Sequence, residues 1–185
     1  MNAPRNLYKD LERVIVTREE IAEAVKKLGR KITEDYAGKV PVLLCVLKGA
    51  VVFFGDLMRE IDLPVEIEFM ALSSYGNSTK TTGKVEIRKD IGCDVTGRDI
   101  LIVEDIVDSG VTLSYLCRYL QGRGAASIRI ATLLDKPARR RTDLKADYFC
   151  FTIPDAFVVG YGLDYAERYR NLPDIGILSP RIYES

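Results

Sequence analysis

The stretch Ile100-Leu-Ile-Val-Glu-Asp-Ile-Val-Asp-Ser-Gly-Val-Thr112 decides the fold. Residues 100–103 are continuously apolar, the pattern of a strand buried on both faces, as parallel sheets require. The run then meets the acids Glu104 and Asp105, two apolar residues, and Asp108-Ser109-Gly110-Val111-Thr112. Beyond it Leu113, Leu116, Cys117 and Leu120 recur at helical spacing, with Gly122 and Gly124 as stop signals. The pattern predicts a buried strand feeding a short acidic, hydroxyl- and glycine-bearing turn that opens a helix. A helix start offers unpaired N–H groups and a positive dipole end, so this layout suits a phosphate.

The flanking sequence repeats that grammar. Residues 40–47 form a continuous apolar run with Pro41 near its start, where a strand tolerates proline; Lys48-Gly49 interrupts, and 50–59 reads as a largely buried helix. Upstream, Thr17-Arg-Glu-Glu20 is a capping-box pattern, and Ile21, Val25, Leu28 and Ile32 trace one face of a helix to about Tyr36. Val14-Ile-Val16 is a candidate strand. Val65, Ile67, Phe69 and Ala71 alternate with Glu66 and Glu68, and 84–89 alternates again and would pair back onto 65–72. Residues 128–134 read as another buried strand, and 148–151, 157–159 and 175–178 as shorter ones. Strands separated by helices argue an α/β fold with a mainly parallel central sheet flanked by helices. Such sheets bind ligands beyond the carboxyl ends of their strands, where the loops 48–49, 104–112 and 135–141 fall. The expected organisation is one domain over 1–185. Its core would cover about 36–135, with a small hood from 1–16 and about 136–185.

Composition narrows the chemistry. Lys plus Arg and Asp plus Glu number 27 each, giving zero formal net charge, whereas a nucleic-acid binder more often carries a basic excess. No apolar stretch approaches the ~20 residues needed to span a bilayer, and the first residues lack a signal peptide's apolar region. The four cysteines, Cys45, Cys93, Cys117 and Cys150, are far apart with no C-x-x-C pair, which reads as free thiols in a reducing cytoplasm. There is no histidine, so Ser-His-Asp and Cys-His pairs are excluded, and any general base is a carboxylate, Lys, Tyr or Cys.

Adjacent acids at the end of a buried strand are costly unless they meet a cation, hydroxyls or water. Taken alone, Glu104 and Asp105 would simply reach solvent at the rim of the sheet. Asp108-Ser-Gly-x-Thr112 weakens that reading, because small residues let backbone N–H groups approach a ligand and Ser109 and Thr112 add hydroxyls. A phosphorylated sugar fits the parts: the anion on the N–H cradle, a ring diol on the carboxylates, Mg²⁺ nearby. Residues 73–83 are polar and small, with Gly76 and Gly83 near the ends; a mobile hairpin tip and an active-site lid are both open. Arg139-Arg-Arg141 reads as a solvated or oligomer-contact run, with phosphate attraction a minor alternative.

The segment Val103-Glu-Asp-Ile-Val-Asp-Ser-Gly-Val-Thr112 resembles the phosphoribosyl-diphosphate (PRPP) signature of the type I phosphoribosyltransferases, in the form of their hypoxanthine–guanine branch. Leu47-Lys-Gly49 resembles that branch's diphosphate loop and Ser74-Tyr75 its lid. Lys136, Phe157-Val-Val-Gly160, Leu163-Asp-Tyr165 and Arg170 resemble its purine- and diphosphate-binding tail.

The resemblance implies transfer of a 5-phosphoribosyl group from PRPP to hypoxanthine and guanine, with Mg²⁺, in a homodimer or homotetramer that binds neither nucleic acid nor membrane. Glu104 and Asp105 would hold the ribose hydroxyls, directly or through Mg²⁺, and Asp108, Ser109, Gly110, Val111 and Thr112 would cradle the 5′-phosphate. Lys48 and Gly49 would contact the diphosphate, with a Leu47–Lys48 peptide that can be cis in the family. Lys136 would donate to the purine 6-oxo group, Phe157 stack on the base, and Val158 present backbone groups to its edge. Asp164 would bind a second Mg²⁺, Arg170 the leaving diphosphate, and Asp108 would act as general base. Two alternatives stand beside this one: an enzyme preferring xanthine or broad across 6-oxopurines, and a nucleotide-sensing regulator that binds nucleic acid.

Overall fold

The computed structural model of the protein describes residues 6–74 and 85–184. The two apolar runs become β2 (Val42–Leu47) and β5 (Asp99–Val107), side by side at the centre of a six-stranded sheet. With β3 (Glu66–Ser74), β4 (Val85–Lys89), β6 (Ser127–Asp135) and β7 (Tyr148–Thr152), the order is β4-β3-β2-β5-β6-β7. Every pair is parallel except β3–β4, the expected antiparallel return.

Side chains alternate along the central strands. Leu43, Cys45, Leu101 and Val103 pack into one apolar layer, and Val42, Leu44, Val46, Ile100 and Ile102 into the other. Both faces are therefore buried, which is why the sequence there is continuously apolar. Helices α1 (Arg18–Asp35) and α2 (Val51–Glu60) cover the first face, and α3 (Val111–Gly122) the second. The capping box of α1 is formed: Thr17 Oγ1 accepts from the Glu20 N–H at 3.3 Å, and the Thr17 N–H donates to the Glu20 carboxylate at 2.8 Å. Ile21, Val25, Leu28 and Ile32 are its buried face, as the spacing predicts.

A second, antiparallel sheet joins the two ends of the chain, with β1 (Leu11–Val16), β9 (Ile175–Leu178) and β8 (Val158–Val159) in the order β1-β9-β8. The candidate strand at 14–16 runs back to Leu11 because β9 offers it a partner as far as Leu178. The main sheet takes in β7, so the second sheet draws its C-terminal strands from Val158 onward.

The strand order sets the position of the site. From β2 the chain builds outward to β3 and β4, then returns to place β5, β6 and β7 on the other side. The reversal leaves a crevice between the carboxyl ends of β2 and β5. Pairing between these strands stops at Cys45–Val103, while β5 continues four residues farther, paired to β6 as far as Val107–Asp135. This corrects the sequence reading of Glu104 and Asp105 as turn residues. They are in the strand, held there by β6, with the edge toward β2 left open.

All four cysteines are free. Burial pushes the thiols of Cys45 and Cys150 up to about 12 and that of Cys117 up to about 11, with Glu104 and Asp105 adding to the shift at Cys45. The thiolate is the reactive form, so at pH 8 about one in a thousand or fewer of these groups is ionised. Mass spectrometry after iodoacetamide treatment at pH 8 should find Cys45, Cys117 and Cys150 unmodified in the native protein and alkylated after denaturation. Rapid native alkylation of Cys45 would contradict this packing.

Candidate active site

Two adjoining cavities open at the carboxyl ends of β2 and β5. The first, of about 310 Å³, is lined by Lys48 and Gly49, by 104–110 with Thr112, and by Asp164 and Arg170. The second, of about 550 Å³, is lined by Lys136, Asp155, Phe157, Val158 and Tyr183 among others. Both include Asp105, Ile106, Asp108 and Asp164, so the end of β5 and the turn after it form an acidic wall between them, with Glu104 on the side of the first cavity.

On that wall, burial holds the Glu104 carboxyl well above the usual carboxylate range, and the charge of neighbouring Asp105 raises it further. Burial raises Asp105 too, offset by its hydrogen bond with Glu104 and by the Ile106 N–H, 2.7 Å from Oδ1. Gly49 lies directly against Asp105: a Cβ there would sit 1.6 Å from Asp105 Oδ2. The peptide before it, Leu47–Lys48, is cis, as the resemblance implies it can be.

The turn after β5 carries Asp108, Ser109 and Gly110 to the start of α3. Gly110 is the N-cap, at φ 78° and ψ −5°, with no side-chain cap on the helix. Asp108 lines both cavities; its Oδ1 is buried and takes no hydrogen bond from the described residues, and its Oδ2 is 3.8 Å from the Arg139 guanidinium.

Lys48 and Arg170 both line the first cavity. Arg170 donates to the Gly162 carbonyl at 2.8 Å and pairs with Asp164 at 2.8 Å, while its Nε is buried without a hydrogen-bond partner among the described residues. Asp164 also accepts the Glu167 N–H at 2.9 Å. The Glu167 carboxylate stands between the two cations, 3.1 Å from Lys48 and 3.4 Å from Arg170, and they hold it below the usual carboxylate range, Lys48 first.

In the second cavity Lys136 is buried, with 4% of its surface exposed, and donates to the Ala156 carbonyl at 3.0 Å and to Asp155 at 2.9 Å. An ammonium has three donors, so one is left for a ligand. Asp155 is held low by the hydrogen bond from Lys136. Phe157 is 41% exposed, meets Tyr165 edge-on at 5.6 Å and stacks near Tyr183 at 5.3 Å. Val158 is buried in β8.

The structure thus brings Lys48, Gly49, Glu104, Asp105, Asp108, Ser109, Gly110, Thr112, Lys136, Phe157, Val158, Asp164 and Arg170 to the two cavities. Val111, the first residue of α3, stands between Gly110 and Thr112. Ser74 ends β3, while Tyr75 and the rest of 75–84 lie outside the described residues. Sequence reasoning missed Asp155, Glu167 and Tyr183, single polar or aromatic residues whose spacing carries no signal. In the run Arg139-Arg-Arg141 the first and last residues are exposed, as expected, but the middle one is not. The Arg140 side chain is only 15% exposed, and its guanidinium points inward onto the turn after β5.

No group of three or more Asp, Glu, Cys or His side chains among the described residues forms a metal cage. The donor set still fits Mg²⁺, which keeps several waters and usually takes one or two carboxylates together with substrate phosphates. Glu104 and Asp105 are such a pair beside a cavity that also holds Lys48 and Arg170.

The profile of the phosphoribosyl transferase domain matches residues 15–166. The hypoxanthine-guanine phosphoribosyltransferase of Bacillus subtilis is 57% identical over 176 residues, covering 95% of this chain and 98% of that protein. The Streptococcus thermophilus enzyme of the same name is 49% identical over 177 residues, 96% of this chain and 98% of that one. A solved hypoxanthine phosphoribosyltransferase from Staphylococcus aureus superposes with a TM-score of 0.95 at 46% identity, with complete coverage of both chains. The chain belongs to the phosphoribosyltransferase family. Within it, its place is on the hypoxanthine–guanine branch.

The contact between Gly49 and Asp105 yields a direct test. A methyl group on Gly49 must displace either the acid pair or the 48–49 loop, and a displacement near 1 Å in an active site costs ~10²-fold in rate. Gly49→Ala should keep the wild-type circular dichroism spectrum and lose at least that much turnover with PRPP and hypoxanthine. Turnover within twofold of wild type would show that the approach is incidental.

Proposed function

We propose that the protein is a cytoplasmic purine-salvage enzyme that transfers the 5-phosphoribosyl group of PRPP to hypoxanthine and guanine, releasing diphosphate, with Mg²⁺ as cofactor, in a homodimer or homotetramer. The observation that carries this reading is the pair of cavities sharing one acidic wall. One is lined by cations and a glycine-bearing helix start, and the other by an aromatic face and a buried ammonium.

In this reading the 5′-phosphate sits on the N–H groups of the 108–112 turn, with the hydroxyls of Ser109 and Thr112 beside it. Glu104 and Asp105 take the ribose diol. Diphosphate displaces Glu167 from Lys48 and Arg170, whose guanidinium fork suits phosphate oxygens. Mg²⁺, when bound, neutralises charge on the diphosphate and on the carboxylates that hold it. Asp164, which lines both cavities, would hold a second Mg²⁺. The purine lies against Phe157 with its edge toward Val158, and Lys136 donates its free N–H to the 6-oxo group. Adenine offers a donor at that position and is refused.

The reaction breaks the C1–oxygen bond of PRPP, whose electron pair leaves with the diphosphate, and forms a bond from C1 to a purine ring nitrogen. Lys48 and Arg170 stabilise the departing charge. The nitrogen's proton passes to Asp108, which borders both cavities and has one carboxylate oxygen unclaimed by the described residues. The lid role stays with Ser74 and Tyr75 and rests on the resemblance alone. The alternative of a nucleic-acid-binding regulator finds no support in the zero net charge. Xanthine is a poorer match than hypoxanthine or guanine to a pocket edged by Asp155, because its acidic ring would meet that carboxylate.

A Mg²⁺-dependent assay with PRPP and each base separately tests the reading. Hypoxanthine and guanine should be consumed, xanthine poorly and adenine not at all; preferential use of xanthine or adenine would reject it. Asp108→Asn should lower kcat by ~10²–10⁴-fold with PRPP binding nearly intact. Near-normal turnover would remove Asp108 as the base. Lys136→Ala should lose hypoxanthine use far more than PRPP binding, and equal loss of both would mean that the lysine only supports the fold.

A further inference from the structure

Three successive carbonyls of the turn after β5 are held from behind by one segment. Val107 O accepts the Lys136 N–H at 3.0 Å and Arg140 Nη2 at 3.3 Å. Asp108 O accepts Arg140 Nε at 3.1 Å, and Ser109 O accepts the Arg141 N–H at 2.9 Å. The Arg140 guanidinium also donates to the Leu144 carbonyl at 2.5 Å and to the Asp135 carboxylate at the end of β6. The contact is close: a Cβ on Gly110 would fall 2.4 Å from Thr142 Oγ1 and 3.0 Å from Arg140 Cδ.

A trans peptide is planar, with its C=O and N–H pointing in opposite directions. Fixing the carbonyls of Val107, Asp108 and Ser109 toward 136–141 therefore turns the N–H groups of Asp108, Ser109 and Gly110 the other way. That other side is the cavity lined by these residues, Lys48 and Arg170. Three N–H groups converging on one space repel one another and favour that arrangement only when an anion is present or when the peptide planes are held. Arg140 has the right chemistry for the second role, because its rigid fork binds several acceptors at fixed angles.

We propose that Arg140 is a positioning residue for the 5′-phosphate: it touches no substrate, and it pre-aims the backbone N–H groups of the 108–110 turn by gripping their carbonyls. This rests on the reading of that turn as the PRPP phosphate cradle. Lysine at 140 keeps the charge opposite Asp135 but cannot reach the carbonyls of Val107, Asp108 and Leu144 together. The defect should therefore be specific to ligands that carry a 5′-phosphate. Diphosphate, which belongs at Lys48 and Arg170, should be indifferent to it.

The test is calorimetric titration of wild type and Arg140→Lys with IMP and, separately, with Mg²⁺-diphosphate. The variant should bind IMP roughly 10- to 100-fold more weakly, the loss expected for charge-assisted hydrogen bonds. Its diphosphate affinity and its KM for hypoxanthine should stay within about twofold. Unchanged IMP affinity, or equal weakening of IMP and diphosphate, overturns the proposal. If Arg140→Lys does not fold, Asp135→Asn takes its place. It removes one anchor of the guanidinium and should weaken IMP about threefold or more with diphosphate unchanged; the same two contrary results would overturn it. Wild-type protein that binds neither IMP nor PRPP would instead refute the phosphate-cradle reading itself.

Discussion

Two carboxyls on consecutive residues, Glu104 and Asp105, are carried into the interior by a strand that has lost its partner on one side. β6 keeps β5 extended to Val107, whereas β2 stops pairing at Val103, so the acids are delivered to a crevice instead of a surface. Both are raised by burial, and no lysine or arginine pairs with either among the described residues. Such a pair destabilises a ligand-free protein and binds well whatever supplies hydroxyls or positive charge. The rest of the site supplies the complement around it: Gly49 packed on Asp105, two cations held by Glu167, and a helix start with no side-chain cap.

That arrangement needs three loops to meet within one crevice, and glycine makes the approach possible. Gly162, at φ 103°, would bring a Cβ to 2.0 Å from the Gly49 carbonyl, so the C-terminal segment closes on the 48–49 loop only without side chains there. Through this contact the second sheet, made from both chain ends, seats Phe157, Asp164 and Arg170 above the main sheet. Phe157 and Val158 thus come from a different layer than Glu104, Asp105 and Asp108, while Lys136 reaches the second cavity from the end of β6 in the main sheet. The end of β5 and the turn after it are where the two cavities meet.

Much of the frame was legible because its causes are local. A continuous apolar run reports a doubly buried strand, and Thr17 with Glu20 reports a helix start whose two hydrogen bonds lie within four residues. What was not legible depended on pairing between distant segments. The strand character of Glu104 to Val107 is imposed by β6, and the first residues of β1 by β9. Arg140 shows the limit most clearly. In a row of three arginines nothing local distinguishes the one that meets Asp135 and three backbone carbonyls from its neighbours. The roles of Lys48, Lys136 and Arg170 came from the resemblance, since lone cations at those spacings carry no signal of their own. The structure then gave each a defined partner.

The most direct test of the central claim is the stability of a Glu104→Gln/Asp105→Asn double variant, measured by urea unfolding with and without Mg²⁺-PRPP. If the buried acids are retained for binding at the expense of stability, the ligand-free variant should match or exceed wild type by about 1–3 kcal/mol. It should also lose the stabilisation that Mg²⁺-PRPP gives the wild-type protein. A ligand-free variant clearly less stable than wild type, or one that keeps the full PRPP-dependent shift, would contradict the account.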